Sequence, residues 1–235
     1  MMQPQGGHNI IQSLIHETHK VDSNKIEKRV GMPNCPHVIN EAIGIYREGI
    51  PNITDSAGLE DVLLLVTTNF AYLDFFLNWE YLAKKQGLKY GIVAMDDELL
   101  THLGPQRAVR SNVSMQASEA SFREQAFNDI SCNKMKVVLD IMQQCDIDIV
   151  LSDMDNIFYE NPFKHDLGRM IKTQMYDYIY QPNEVSFENR SHPCLTEGHL
   201  VREGNTGFYY LSRNAAVVKV IMEMTMETCK SPLNE

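Results

Sequence analysis

The clearest pattern along the chain is a short apolar run at residues 61–67. The run shows no alternation of apolar and polar residues and ends in β-branched side chains, so it predicts a strand buried on both faces. Over residues 70–86 apolar residues recur at helical spacing, lysines fill the last turn, and Gly87 follows. This pattern predicts a helix, with Asn69 in the N-cap position.

A second predicted strand, residues 90–94, completes a strand, helix, strand unit that ends at Asp96. The unit has the length that a right-handed parallel crossover needs. Farther along the chain, Ser131 is expected to cap a helix over residues 133–144, and residues 147–151 form a third predicted strand. Ligands of parallel sheets gather at the carboxyl ends of the strands, so the residues that follow each strand are candidates for a binding site.

The remaining pattern completes a single α/β domain. Residues 105–130 are polar and irregular and are interpreted mainly as loops. Strands are predicted at residues 177–180 and 206–211, with a long loop at residues 181–203 between them. A final helix is expected after Asn214, which is a favourable N-cap residue.

Two regions are distinguished along the chain. Residues 1–58 lack sustained periodicity and contain structure breakers, which favours a variable N-terminal extension. Residues 59–235 are interpreted as the ordered domain, an α/β fold with a mostly parallel central sheet flanked by helices. Since 43% of the 235 residues are hydrophobic, the chain can form a sizeable core.

The composition restricts the ligands that this domain could bind. A formal net charge of -10 argues against binding to nucleic acid or to an anionic membrane, and a small anionic substrate would need a bound cation. The five cysteines include no close pair at metal-ligand or redox spacing, and their odd number leaves the compartment open. No apolar run reaches the roughly 20 residues that span a bilayer, so no membrane segment is expected in this sequence.

Two aspartates, Asp153 and Asp155, directly follow the third predicted strand and are separated by Met154. If the chain turns there, both carboxylates can face one cleft and share a divalent ion, and hard oxygen ligands suit Mg²⁺ or Mn²⁺. In a reaction that breaks the bond between a sugar and a nucleoside diphosphate, such an ion would neutralise the negative charge of the departing diphosphate. The alternative is that both aspartates are solvated turn residues, since aspartate is common where a strand ends.

Two other kinds of acidic loop compete with this interpretation. A helix-loop-helix calcium loop would need a further oxygen ligand and then a glycine, but Ile157 and Phe158 stand at those places. A phosphatase of the haloacid dehalogenase type also has two aspartates after a buried strand, with Asp153 as nucleophile and Mg²⁺ as cofactor. That class places this strand first in its domain, whereas a complete strand, helix, strand unit precedes it here.

Taken together, the motifs resemble those of the nucleotide-diphospho-sugar transferase family, whose members are glycosyltransferases with a GT-A fold. The resemblance runs from about residue 61 to residue 229 and depends on the order and spacing of its parts. Those parts are Val66-Thr67-Thr68-Asn69, Val93-Ala94-Met95-Asp96, the helix with Lys134 and Lys136, the stretch from Val150 through Asp153-Met154-Asp155 to Ile157, Asn161-Pro162, and Asn205-Thr206-Gly207-Phe208.

The resemblance implies transfer of a sugar from a nucleotide-diphosphate donor to a hydroxyl of a glycan or protein acceptor. Asp153 and Asp155 match the family's DXD motif, with Asp155 as the more direct ligand of Mn²⁺ or Mg²⁺. Lys136 would meet phosphate oxygens, and no residue is identified as a catalytic base or nucleophile. The positions implied in donor binding are Thr67, Thr68, Asn69, Asp96, Lys136, Asp153, Met154, Asp155, Asn205, Thr206 and Gly207.

Several of these positions are also consistent with a purely structural role. Asn69 can serve only as a helix cap, Lys136 can be a solvated helix residue, and Asp96 can simply follow a strand. The histidines show no spacing typical of metal ligands. Three aromatic side chains are expected in the core and not at a sugar platform: Trp79, Tyr209 and Tyr210.

Members of the family typically continue beyond the equivalent of Glu235 with an acidic acceptor-side segment and a histidine that completes the metal site. The resemblance therefore predicts that the C-terminal part of the domain is missing from this sequence, and donor binding is expected ahead of catalysis. A truncated domain of this kind that binds without turnover is the second hypothesis. The compartment that the resemblance implies is the Golgi.

Overall fold

The structure, a computed structural model, describes residues 33–45, 58–112, 125–182 and 204–229. Two 3₁₀ turns, Phe70–Tyr72 and Pro162–Lys164, accompany its helices and strands. The strands are β1 (Val62–Thr68), β2 (Gly91–Ala94), β3 (Val109–Arg110), β4 (Asp148–Ser152), β5 (Tyr178–Pro182) and β6 (Gly204–Leu211). The α-helices are α1 (His37–Ala42), α2 (Leu73–Lys85), α3 (Asp97–Leu103), α4 (Gln125–Cys145), α5 (Asp166–Lys172) and α6 (Ala216–Cys229).

These strands form one six-stranded sheet in the order β3-β2-β1-β4-β6-β5. Strand β1 is parallel to both β2 and β4, and β2 is parallel to β3, whereas β6 is antiparallel to β4 and β5. The arrangement confirms the predicted GT-A-like α/β class with a mostly parallel sheet flanked by helices. Because β6 is antiparallel, its amino-terminal end lies beside the carboxyl end of β4, where Ser152 pairs with Phe208.

The central strands of the sheet are buried on both faces, as the apolar run of β1 predicted. Leu63 and Leu65 belong to a core cluster with α1, α4 and α6 on one face. The alternating residues of β1, such as Leu64, belong to a second cluster with α2, α3 and α5 on the other face. Every residue of β1 is buried. The three aromatic residues predicted to lie in the core are buried as well: Trp79, Tyr209 and Tyr210.

Most predicted elements are confirmed with bounds shifted by one or two residues. The helix predicted at residues 70–86 begins as the 3₁₀ turn Phe70–Tyr72, and α2 starts at Leu73 with Tyr72 as its N-cap. The start of one further helix is wrong. Helix α4 begins at Gln125, so Ser131 lies inside the helix and does not cap it. Polar residues before Ser131 obscured the pattern, although Ile130 continues the helical spacing of the later apolar residues. Helix α3, directly after Asp96, was not predicted. The predicted loop at residues 181–203 lies almost entirely outside the described residues.

Residues 33–45 pack against the sheet, a contact that the sequence did not signal. Ile39 and Ala42 of α1 are buried in the same core cluster as Leu63. Cys35 forms a disulfide bond with Cys145 at the end of α4, across a sequence separation of 110 residues. The boundary predicted between residues 58 and 59 stays a prediction. Across the described residues, no helix combines the length and the apolarity needed to cross a bilayer.

A buried carboxylate, Glu80 of α2, joins this helix to its surroundings. Its side chain is 9% exposed, accepts a hydrogen bond of 2.7 Å from the Tyr90 hydroxyl, and lies 3.0 Å from the Lys84 ammonium. Arg107 also forms an ion pair with Glu80. Burial raises the pKa of Glu80, but the hydrogen bonds from Tyr90, Lys84 and Arg107 outweigh burial and hold the pKa below its ordinary value of 4.5.

This lowered pKa predicts a pH-dependent contribution of Glu80 to stability. A carboxyl group whose pKa is lower in the folded state stabilises the fold above its unfolded-state pKa and loses that effect as pH falls through the folded-state pKa. Glu80→Gln should therefore cost about 1–3 kcal/mol of unfolding free energy at pH 7. The difference in unfolding free energy between Glu80→Gln and the wild type should become smaller below pH 4.5. Denaturant unfolding over a pH series measures this, with Glu98→Gln on exposed α3 surface as control; a pH-independent gap would contradict the assignment.

Candidate functional site

A cavity of about 280 Å³ opens at the carboxyl ends of β1 and β4. Since β1 is flanked by β2 on one side and β4 on the other, this is the point where connections diverge and ligands of open α/β sheets bind. The cavity brings together two of the predicted segments, residues 67–69 and Asp153-Met154-Asp155. Its lining residues are Thr67, Thr68, Asn69, Tyr72, Phe75, Met95, Ile130, Lys134, Asp153, Met154 and Asp155.

One wall of the cavity is the polar end of β1. Thr67 is 2% exposed, and its hydroxyl has no hydrogen-bond partner within the described part of the chain. A buried hydroxyl without a partner is costly, so a ligand that enters the cavity can gain a hydrogen bond there. Asn69 occupies the N-cap position of the 3₁₀ turn, but its side chain makes no capping hydrogen bond.

The opposite wall, the segment after β4, is fixed by the start of β6. The Asp153 amide donates to the Gly207 carbonyl over 2.6 Å. The side-chain amide of Asn156 donates to the same carbonyl over 2.8 Å and to the Asp153 carbonyl over 3.2 Å. Gly207 therefore positions the aspartate pair through its backbone. Thr206 is exposed and does not line the cavity, and the side chain of Asn205 lies outside the described residues.

A buried tryptophan supports this wall from below. The indole N–H of Trp79 donates to Ser152 Oγ over 3.0 Å, and Ser152 Oγ donates to the Asp153 carbonyl over 3.0 Å. Trp79 and Ser152 are both fully buried. The core of the domain thus reaches the aspartate segment through two successive hydrogen bonds, and sequence reasoning placed Trp79 in the core without this contact.

A lysine that was not among the predicted donor-binding residues faces the aspartates. Lys134 Nζ lies 2.7 Å from Oδ1 and 2.8 Å from Oδ2 of Asp153. Burial raises the pKa of Asp153, and the nearby Asp155 adds to this, whereas the charge of Lys134 opposes it. Lys136 is exposed and does not line the cavity. Residue spacing does not separate the two lysines, because Lys134 lies one turn before the buried Val137 and Val138 and Lys136 lies one turn before the buried Leu139.

Asp96 lies near the cavity but is engaged elsewhere. One carboxylate oxygen accepts the Leu99 amide over 2.7 Å and caps α3, and the other accepts the Phe70 amide over 2.8 Å. Asp96 is 4% exposed and does not line the cavity. Its observed contacts tie the ends of β1 and β2 together, while its predicted part in donor binding stays a prediction.

A second cavity, of about 710 Å³, meets the first at Asp155. Asp155 is exposed and lines both cavities. The larger cavity is bounded by residues 155–160 and by parts of α5, β5 and β6, and it presents aromatic and acidic side chains such as Tyr159 and Glu160. Tyr209 is also among the residues that line this cavity, and its buried hydroxyl has no hydrogen-bond partner among the described residues.

The oxygen ligands at this cavity bear on whether a divalent cation can bind there. Within the described ranges, no group of three or more His, Cys, Asp or Glu side chains is placed to hold a metal ion. Asp153 and Asp155 supply two carboxylates at one cavity wall. Mg²⁺ is commonly held by one or two carboxylates together with substrate phosphates. The pair therefore fits a cation that is shared with a bound diphosphate.

Comparison with known proteins identifies the family. The profile of the nucleotide-diphospho-sugar transferase family matches residues 89–235, and the chain belongs to this family. No curated protein matches the chain. Two solved structures are similar to it in part, both of the glycosyltransferase GlyE of Streptococcus pneumoniae TIGR4.

The first, the apo form, has 10% identity and a TM-score of 0.42 and covers 74% of this chain and 39% of that chain. The second has 12% identity and a TM-score of 0.39 and covers 72% and 38%, respectively. The chain thus spans about two fifths of the length of these structures.

Proposed function

We propose that this protein transfers a sugar from a nucleoside-diphosphate donor to a hydroxyl acceptor, with a divalent cation held through Asp153 and Asp155. The observation that carries the proposal is the cavity at the switch point of the sheet, where this aspartate pair faces the polar end of β1. Membership of the nucleotide-diphospho-sugar transferase family supports it.

The two walls of the cavity suit different parts of the donor. The buried hydroxyl of Thr67 offers a hydrogen bond to the nucleoside, which lies over the end of β1. The diphosphate lies next to Lys134 and the aspartate pair, where the ammonium group offsets part of its negative charge. A cation bound there would neutralise the diphosphate as it leaves. The hydrogen bonds from Trp79 through Ser152 hold Asp153 in place, so that the charges are positioned before the donor binds.

The second cavity supplies the acceptor side of the reaction. It meets the donor cavity at Asp155, so a hydroxyl group that enters from the larger cavity would approach the sugar next to the diphosphate. Its aromatic rings can pack on apolar faces of a glycan or peptide, and its carboxylates can accept hydrogen bonds from hydroxyl groups.

Calorimetric titration with UDP or GDP in the presence of Mn²⁺ tests the donor site. Asp153→Asn and Asp155→Asn should each weaken nucleotide binding by about tenfold or more, equivalent to about 1.4 kcal/mol, because each removes a charged ligand of the cation. Asp97→Asn, whose side chain is 87% exposed on α3, is the matched control and should bind as the wild type does. Wild-type affinity in both site variants would refute the proposal.

The same preparation distinguishes a transferase from a domain that only binds. Release of free nucleoside diphosphate from UDP-sugars and GDP-sugars with added hydroxyl acceptors measures turnover. Binding that depends on Asp153 and Asp155 but shows no turnover would support the second hypothesis, a non-catalytic domain. The phosphatase alternative is disfavoured, because the chain belongs to the nucleotide-diphospho-sugar transferase family and because β1 and β2 precede β4 in the sheet.

A further inference from the structure

The ammonium group of Lys134 is bound to the carboxylate of Asp153, one of the two proposed ligands of the divalent cation. Lys134 Nζ is within 2.8 Å of both carboxylate oxygens, so one positive charge bridges them. The two side chains are only 15% and 24% exposed, which makes their attraction stronger than that of a surface pair. A metal ion cannot reach both oxygens of Asp153 until this ammonium moves.

Helix α4 fixes the base of Lys134 and leaves its head group free to change partners. Val137 and Val138, one turn farther along α4, are buried in the core and hold this face of the helix against the sheet. The lysine side chain is a flexible four-carbon stem with three N–H donors at its end. The ammonium can therefore exchange one oxygen acceptor for another without a change in the fold.

The charges that line the donor cavity make such an exchange favourable when a diphosphate enters. Asp153 and Asp155 are negative and Lys134 is positive, so the wall carries net negative charge before any ligand arrives. A diphosphate then needs both a divalent cation and the ammonium to offset its charge. The buried hydroxyl of Thr67, without a partner in the described part of the chain, independently marks the cavity as a place for a ligand.

We propose that Lys134 is an exchangeable counter-ion that couples the binding of the metal to the binding of the donor. In the empty site it neutralises Asp153 and opposes metal binding. When a diphosphate is present, the ammonium turns to the phosphate oxygens and leaves Asp153 free for the cation, so each ligand strengthens the binding of the other. This inference rests on the proposed function, since it needs a nucleoside diphosphate in this cavity.

The direction in which Mn²⁺ affinity changes when Lys134 is replaced separates this role from a structural one. Mn²⁺ binding to the full chain is measured by electron paramagnetic resonance, first alone and then with saturating UDP or GDP. In the wild type, saturating nucleotide should tighten Mn²⁺ binding by roughly fivefold or more. Lys134→Met should tighten Mn²⁺ binding without nucleotide by roughly fivefold or more, and it should weaken nucleotide binding without metal.

Three further variants complete the experiment. Lys134→Arg keeps the positive charge next to Asp153 and should retain weak Mn²⁺ binding in the absence of nucleotide. Lys85→Met, on the exposed end of α2, should behave as the wild type. Lys136→Met tests the lysine that the family resemblance favoured; if it and not Lys134→Met changes Mn²⁺ binding, the assignment to Lys134 is overturned.

Unchanged or weaker Mn²⁺ binding in Lys134→Met would overturn the proposal. If circular dichroism shows that this variant does not fold, Lys134→Gln, which can still donate a hydrogen bond to Asp153, is measured in its place with the same expected direction. Failure of the proposed function has a different signature. In that case Asp153→Asn and Asp155→Asn leave Mn²⁺ and nucleotide binding at the wild-type level.

Discussion

Replacement of Cys35 by serine is expected to lower the free energy of unfolding by about 4–5 kcal/mol. The disulfide bond joins Cys35 to Cys145 across 110 residues, so its loss gives the unfolded chain a large gain in conformational freedom. For a domain of this size the melting temperature should fall by roughly 10–15 °C. Calorimetry of the wild type and Cys35→Ser under oxidising conditions measures the effect.

The change should be specific to the bond. Asn34→Ser, at the exposed neighbouring position, keeps both cysteines and should melt as the wild type does. Cys145→Ala should destabilise the protein at least as much as Cys35→Ser, because Cys145 is 1% exposed and contributes to the core. A melting temperature in Cys35→Ser equal to that of the wild type would show that the two sulfur atoms are not bonded.

Truncation of Trp79 to alanine is expected to cost about 3–5 kcal/mol of unfolding free energy. The side chain is fully buried and packs against Phe76, Tyr90 and Phe158. Its removal leaves a cavity beneath the aspartate segment that the surrounding rings cannot fill. Chemical unfolding measures the loss, and Tyr81→Ala on the exposed side of α2, where the side chain is 64% exposed, is the control.

Trp79→Phe separates packing from positioning. Phenylalanine retains most of the apolar contact but cannot donate to Ser152, whose hydroxyl in turn donates to the Asp153 carbonyl. Stability should fall less than in Trp79→Ala, while UDP or GDP binding in the presence of Mn²⁺ should weaken by several-fold. If nucleotide affinity is unchanged in Trp79→Phe, the indole hydrogen bond has no part in holding the aspartates.

The central sheet was predictable from the sequence because its burial is recorded in local patterns. Strand β1 is buried on both faces and therefore reads as an uninterrupted apolar run. The aspartate pair was also predictable, since parallel strands present their carboxyl ends at one edge of the sheet. Strands β1 and β4 are paired with Val66 opposite Ser152, and this register places residues 67–69 next to Asp153-Met154-Asp155.

The errors and omissions concern contacts that local pattern does not encode. Lys134 and Lys136 are equivalent as residue types, and only the orientation of α4 decides which of them faces the cavity. The pairing of Cys35 with Cys145 leaves no spacing signal, because the two are far apart in the chain. Asp96 could be recognised as a residue after a strand, but its two backbone contacts depend on α3 and on the 3₁₀ turn.

Helix α1 packs closely against the sheet at Gly91 of β2. A methyl group at Gly91 would come within 3.0 Å of Ile39 Cδ1 and 3.2 Å of Leu63 Cδ1, so α1 packs closely on β2 at a residue that has no side chain. Helix α1 is thus an integral covering of one sheet face. A piece of this chain that began at residue 89, where the family profile begins to match, would lack α1, β1 and the disulfide bond between Cys35 and Cys145.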